Sequence, residues 1–167
     1  MPDEMTSVEL FELTLDIMED AAMPAYEVSN FASHGQECRH NMSYWLGHPY
    51  IGVGPGAHGR VMIHDRWHAT ACVKSPDRWL EQTQQQGHAL EEQSELTKRE
   101  RAQEYVMMGL RLAEGINLAH FDCGDFINRD ALDILRTEKL LKSEGSQWHA
   151  TRKGVLVLNE IIRQLLV

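Results

Sequence analysis

No run of apolar residues in this sequence approaches the roughly 20 that a helix needs to cross a bilayer, so a membrane-spanning helix is not expected. Internal repeats and low-complexity tracts are missing as well. There is no basic surplus: 16 Lys and Arg stand against 25 Asp and Glu, a formal net charge of −9. That balance argues against a nucleic-acid partner, because phosphate contacts need a basic face. Cysteine is scarce. Cys38, Cys72 and Cys123 are widely spaced and odd in number, which fits neither a disulfide framework nor a CxxC metal pair. They read as three reduced thiols, two of them packing residues. The amino terminus, "MPDEMTSVELFELTLD", is acidic where a secretory leader would be basic. Together these absences predict a cytoplasmic protein. Its 167 residues, 43% hydrophobic and 25% charged, have the balance of a globular chain of one domain or two small ones.

Periodicity supplies the outline. Residues 6–22 carry Val8, Phe11, Leu15, Met18 and Ala22 at steps of three and four, with Leu10, Leu13 and Ile17 widening the stripe. An amphipathic helix follows from this, capped by Thr6 or Ser7 and ended by Pro24. "AYEVSNFA" then has strand composition, and helix followed by strand is half of an α/β repeat. An isolated half-repeat cannot bury a parallel strand on both faces, so the chain reads as though it begins inside a fold. "RVMIHDRWHATACV" reads as a hairpin, "SPDRWLEQTQQQG" as a helix with Ser75 as cap and Pro76 first, and "GHALEEQSE" as a polar linker. In the second half, Thr97 and Glu100 form a capping box ahead of a helix that runs to Gly115, sharing Tyr105, Met108 and Leu112 on one face. "NRDALDILRTEKLL" is a helix, "LLKSEGSQWHAT" a hairpin or wing, and "TRKGVLVLNEIIRQLLV" a closing helix with Val155, Leu158, Ile162 and Leu165 in register. This order is winged-helix-like.

Chemistry concentrates in residues 38–60, "CRHNMSYWLGHPYIGVGPGAHGR", a mixture that a helix would tolerate poorly. Gly52, Gly54 and Ala57 have dinucleotide-fingerprint spacing, but Pro55 interrupts and a β-prone run follows where a helix is required. A Rossmann site is rejected. The glycines permit close approach of backbone to a ligand, or simply a tight turn. His64, His68 and Cys72 recur every fourth residue, yet a hairpin would break the series, so a zinc site is set aside. His40 stands beside a thiol, an amide, a phenol and an indole; it is either a hydrogen-bonding loop residue or an axial haem ligand. Glu91, Glu92 and Glu95 read as a solvated face, and Met107 and Met108 as core. Lys98, Arg99 and Arg101, with Arg152 and Lys153, raise a DNA-binding module as an alternative.

"AYEVSNFA", "CRHNMSYW", "YIGVGPGAHGR" and "LRLAEG…LLKSEG…ATRKGVLVLNEII" together resemble the HemW group of radical-SAM proteins, haem chaperones similar to oxygen-independent coproporphyrinogen III oxidase. The resemblance covers essentially the whole chain. It implies the carboxy-terminal part of a partial (β/α) barrel over residues 1–88, followed by a helical, winged-helix-like domain over 89–167. It implies that His40, Asn41, Tyr44 and Trp45 (an HNxxYW element) bind haem, and that Gly54, Ala57, His58, Phe31 and Ala32 lie nearest S-adenosylmethionine. Ligands at the carboxyl ends of barrel strands agree with that placement.

One family motif is missing. The CxxxCxxC that holds a [4Fe–4S] cluster is absent, and the three cysteines cannot replace it at their spacing. No radical chemistry is therefore expected of this chain, since that chemistry belongs to the cluster and S-adenosylmethionine. The chain resembles a carboxy-terminal portion. Haem or porphyrin and haem-accepting proteins are the implied partners, with self-association through an open barrel edge. Two other functions stay open: part of a coproporphyrinogen III dehydrogenase, against which the HNxxYW element argues, and a non-enzymatic winged-helix interaction module.

Overall fold

The computed structural model describes residues 3–166. Helix α1, Glu4–Asp20, takes Asp3 as its N-cap, the carboxylate accepting from the Thr6 amide at 2.8 Å. Thr6 and Ser7, the expected caps, lie inside the first turn. Asp3 sits one turn earlier, and its charge suits the positive end of the helix. That amide bond holds the Asp3 carboxyl below its ordinary range. Leu10, Leu13 and Ile17 are more than half exposed, so this part of the stripe does not face the core of this chain.

Residues 25–32 fold as a hairpin of two short strands. Strand β1, Ala25–Glu27, pairs antiparallel with β2, Asn30–Phe31. The cause is Glu27, only 3% exposed. Its carboxylate accepts from the Ser29 amide at 2.9 Å, from the Ser29 hydroxyl at 3.1 Å and from the Asn30 side chain, which closes the turn. On its other side this hairpin meets residues 111–113: the Val28 amide donates to the Arg111 carbonyl and the Ala113 amide to the Tyr26 carbonyl.

The stretch judged unsuited to a helix contains one. Helix α2, Arg39–Trp45, takes up seven of the eight residues between Cys38 and the first glycine after it. It ends in a Schellman motif: the Gly47 amide donates to Tyr44, the His48 amide to Ser43, and Gly47 takes the left-handed φ of 68° that this ending requires. Past it, β3 (His58–Ile63) and β4 (Arg66–Cys72) form the expected hairpin, turning at His64 and Asp65. His64 therefore leaves the four-residue series. Among the described residues no group of three or more His, Cys, Asp or Glu could hold a metal ion. Helix α3, Pro76–Gln86, has Ser75 as cap and Pro76 first, as read.

The polar stretch read as a linker is strand β5, Leu90–Glu95, paired with β4 along its whole length. All six residues are exposed, so backbone hydrogen bonds rather than burial place it. Helix α4, Lys98–Gly109, follows with the Thr97–Glu100 capping box, and stops six residues short of Gly115. Met107 is 43% exposed and Met108 only half-buried, which corrects their assignment to the core.

The remaining chain holds β6 (Ile116–Asn117), a 3-10 segment (His120–Asp125), α5 (Arg129–Thr137), the hairpin β7 (Leu141–Glu144) and β8 (Gln147–Ala150), α6 (Arg152–Val155) and α7 (Leu158–Leu165). The three strands make an antiparallel sheet in the order β6-β8-β7. The closing helix is thus broken in two, at Val157, where φ −121° and ψ 24° leave the helical region. The main core lies here, around Val106, Leu110, Ile116, Leu135, Leu141, Ile161 and Leu165. Of the basic residues weighed for DNA, Arg101 is 5% exposed, and Arg152 binds the Asp16 carboxylate at 2.6 Å and the Glu12 carbonyl at 2.8 Å, tying α1 to this unit. No helix among the described residues is long and apolar enough to cross a membrane.

The cysteines are free, with Cys38 exposed, Cys72 half-buried and Cys123 buried. Burial pushes the Cys123 thiol up to about 11. Alkylation near pH 8, read by peptide mass spectrometry, is expected to label Cys38 first and Cys123 only after denaturation. Native-state labelling of Cys123 as fast as Cys38 would contradict this packing.

Candidate functional site

The HNxxYW element is two interlocked pairs at i and i+4 on α2. His40 and Tyr44 form the outer pair: the Tyr44 hydroxyl lies 2.9 Å from His40 Nε2, and the rings meet edge to face at 4.8 Å. His40 is exposed and Tyr44 half-buried. The Tyr44 ring in turn stands edge-on to Tyr50 at 4.5 Å. Asn41 and Trp45 form the inner pair. The Asn41 side chain donates to the Tyr26 hydroxyl at 3.4 Å, and the Arg111 guanidinium lies 5.4 Å from the Trp45 ring. Trp45 Nε1 and Arg111 Nε are both buried without a hydrogen-bond partner among the described residues. The four residues thus divide: the His40–Tyr44 pair lies on the more open side of the helix, and the Asn41–Trp45 pair meets Tyr26 and Arg111 of other segments.

A charged network the sequence did not reveal fixes this helix from below. Arg101 of α4 donates to the Gly47 carbonyl at the end of α2, and its guanidinium carbon lies 4.1 Å from the Trp67 ring and 4.4 Å from the Phe121 ring. It also approaches Glu104 at 3.7 Å. Glu104 accepts three bonds from Arg60, at 2.9, 3.1 and 2.6 Å. Arg60 exchanges backbone bonds with Tyr50, so the network returns to the ring that packs on Tyr44. The Glu104 bonds raise the Arg60 guanidinium above its ordinary value, burial lowers that of Arg101, and burial raises the Tyr50 phenol.

The residues expected near S-adenosylmethionine fall into two places. Gly54, Ala57 and His58 sit at the junction of the glycine loop with β3: the Ala57 amide donates to the Gly54 carbonyl at 3.2 Å, and His58 is exposed. Gly54 has a φ of 115° and open space where a Cβ would stand. That space is compatible with a ligand lying against its backbone. Phe31 is half-buried on β2, and Ala32 lines a cleft of about 340 Å³ walled by Tyr26, Met42 and Leu112, which contains none of the loop residues. For an iron–sulfur cluster the donor set does not fit: one thiol is exposed, one lies in β4, and one is buried in the carboxy-terminal core.

Comparison with known proteins first defines a class. The HemN C-terminal domain family matches residues 96–157. The structure of Escherichia coli coproporphyrinogen III oxidase (HemN), described as a radical SAM enzyme, superposes with a TM-score of 0.66 at 17% identity, over 97% of this chain and 41% of that one. That likeness shows the fold, a mixed α/β arrangement. Relatives by sequence then narrow it. Heme chaperone HemW of Escherichia coli is 31% identical over 99% of this chain and 44% of its own length. The mitochondrial radical S-adenosyl methionine domain-containing protein 1 of Bos taurus is 35% identical over 99% and 40%. That of Danio rerio is 37% identical over 72% and 28%. The chain is similar, over nearly all of its length, to part of HemW and of the Bos taurus radical S-adenosyl methionine domain protein, and it matches the carboxy-terminal domain family of HemN. It spans less than half the length of these relatives.

Proposed function

We propose that this chain is the haem-handling part of a HemW-like radical-SAM haem chaperone. The reading rests on one observation: α2 presents His40 to solvent while Asn41 and Trp45 anchor the helix and Arg101 clamps its end. A helix held in this way keeps the backbone that bears the imidazole at a fixed position on an open face, as the support of an axial ligand for a haem cargo must be. Tyr44 flanks that imidazole, and Trp45 sets the height of the helix. The glycine loop, with Gly54, Ala57 and His58, is assigned to the S-adenosylmethionine side of the longer relatives' site, and Phe31 and Ala32 to its neighbourhood. Radical chemistry is assigned to the part of those relatives that carries the cluster.

The barrel-derived unit is proposed over residues 1–88 and the winged-helix-like unit over 89–167, which includes the family match at 96–157. The pairing of β5 with β4 supports moving that boundary to just beyond the strand. Haem-accepting proteins in the cytoplasm are the proposed recipients, and an open barrel edge is the proposed self-association surface.

Titration of the purified chain with ferric haem is expected to give saturable binding and a Soret shift. His40→Ala is expected to weaken binding tenfold or more, on the order of a lost ligand bond. An unchanged affinity and spectrum would remove His40 from the site.

A further inference from the structure

We propose that the Tyr44 hydroxyl is a reversible cap on the nitrogen of His40 that takes iron, an inference that rests on the haem reading above. The two groups are one helical turn apart, and the hydroxyl oxygen is 2.9 Å from Nε2. Nε2 is the nitrogen farther from the helix backbone and the one that can reach a planar macrocycle lying over an exposed face. Its lone pair serves one partner at a time. When the hydroxyl donates to Nε2, the ring proton rests on Nδ1, the tautomer that an Nε2-ligated imidazole also requires. The cap thus masks the ligand and holds the ring in the form that binds.

Release needs little rearrangement. Tyr44 is half-buried and packed edge-on against Tyr50, which Arg60 holds through paired backbone bonds. His40 is exposed, so the imidazole is the partner that swings out. On ligation the Nε2 lone pair leaves the hydroxyl and bonds iron, while the proton stays on the tyrosine oxygen. No oxidant or further reactant is needed. The consequence is a ligand that resists casual metal or porphyrin capture and engages a haem only when the iron–nitrogen bond outweighs the hydrogen bond.

The test compares the unaltered chain with Tyr44→Phe and His40→Ala, each confirmed as folded by circular dichroism. Tyr44→Phe keeps the ring and removes only the hydroxyl. Ferric haem should bind Tyr44→Phe about two- to tenfold more tightly and faster, the range a single lost hydrogen bond allows. An equal or weaker affinity in Tyr44→Phe, with binding still lost in His40→Ala, would overturn the cap and leave the haem reading standing. Unchanged binding in His40→Ala would overturn the haem reading itself. A probe that needs no haem separates the two: diethyl pyrocarbonate, which acylates unprotonated imidazole, should modify His40 faster in Tyr44→Phe by a similar factor, read by peptide mass spectrometry. Equal modification rates would overturn the cap whatever haem does.

Discussion

Gly115→Ala is expected to lower the stability of the chain by about 4 kcal/mol, and its Tm by about 8–16 °C for a protein of this size. Gly115 has a φ of 68°, and a Cβ there would stand 2.6 Å from the His149 Cα and against the Trp148 carbonyl oxygen. Both obstacles belong to the backbone of β8, the central strand of the carboxy-terminal sheet. They cannot rotate away as a side chain would. Gly87→Ala is the control. Gly87 has a φ of 78° but nothing within 4 Å of an added Cβ, so only the conformational penalty, about 1 kcal/mol, should appear. Thermal denaturation of the two variants side by side checks the account. Equal shifts would show that conformation, not collision with β8, sets the cost at Gly115.

The second large effect is expected at Arg101. Its guanidinium is held between two aromatic rings, bonded to the Gly47 carbonyl and near Glu104. Arg101→Ala removes the filling between Trp67 and Phe121 and leaves Glu104 with one cation instead of two. A loss of about 3 kcal/mol is expected. Arg101→Lys keeps the charge but not the flat fork, and should recover only part of it. The sharper signature is local. Helix α2 has seven residues and no side-chain cap, too short to stand alone in water, so its amides should exchange with solvent much faster in either variant. Those of α5 and α7, whose buried residues lie in the carboxy-terminal core and do not contact the Arg101 guanidinium, should keep their protection. Hydrogen exchange read by mass spectrometry decides, and unchanged exchange over residues 39–47 would show that Arg101 does not hold the helix.

What could be read beforehand follows the range of the forces involved. Ser75 with Pro76 and Thr97 with Glu100 are local devices, and both cap the helices they were read to cap. The hairpins at residues 64–65 and 145–146 likewise follow from short-range turn chemistry. Strand β5 was missed because an edge strand with all residues exposed carries no hydrophobic alternation. The turn at Val28–Ser29 is closed by a buried carboxylate, and burial of Glu27 is not legible in a local sequence whose Ser29 and Asn30 are its only turn signal.

The site divides the same way. The i and i+4 spacing of His40 with Tyr44 and of Asn41 with Trp45 is a helical signature present in the motif itself, obscured by the glycines that follow it. Arg101 carries no such mark. In "TKRERAQ" it looks like any solvated cation, and its partner Gly47 is 54 residues away in the chain.

The junction between β5 and α4 has a mechanical consequence. One residue, Leu96, separates the last residue of the strand from the cap of the helix, and its amide is bonded to the Trp67 carbonyl at 2.7 Å. Thr97 is engaged in both directions by its capping box. A hinge must contain residues free to change φ and ψ, and here none is free. The sheet and α4 are therefore joined with no hinge between them, so a load on one is passed directly to the other.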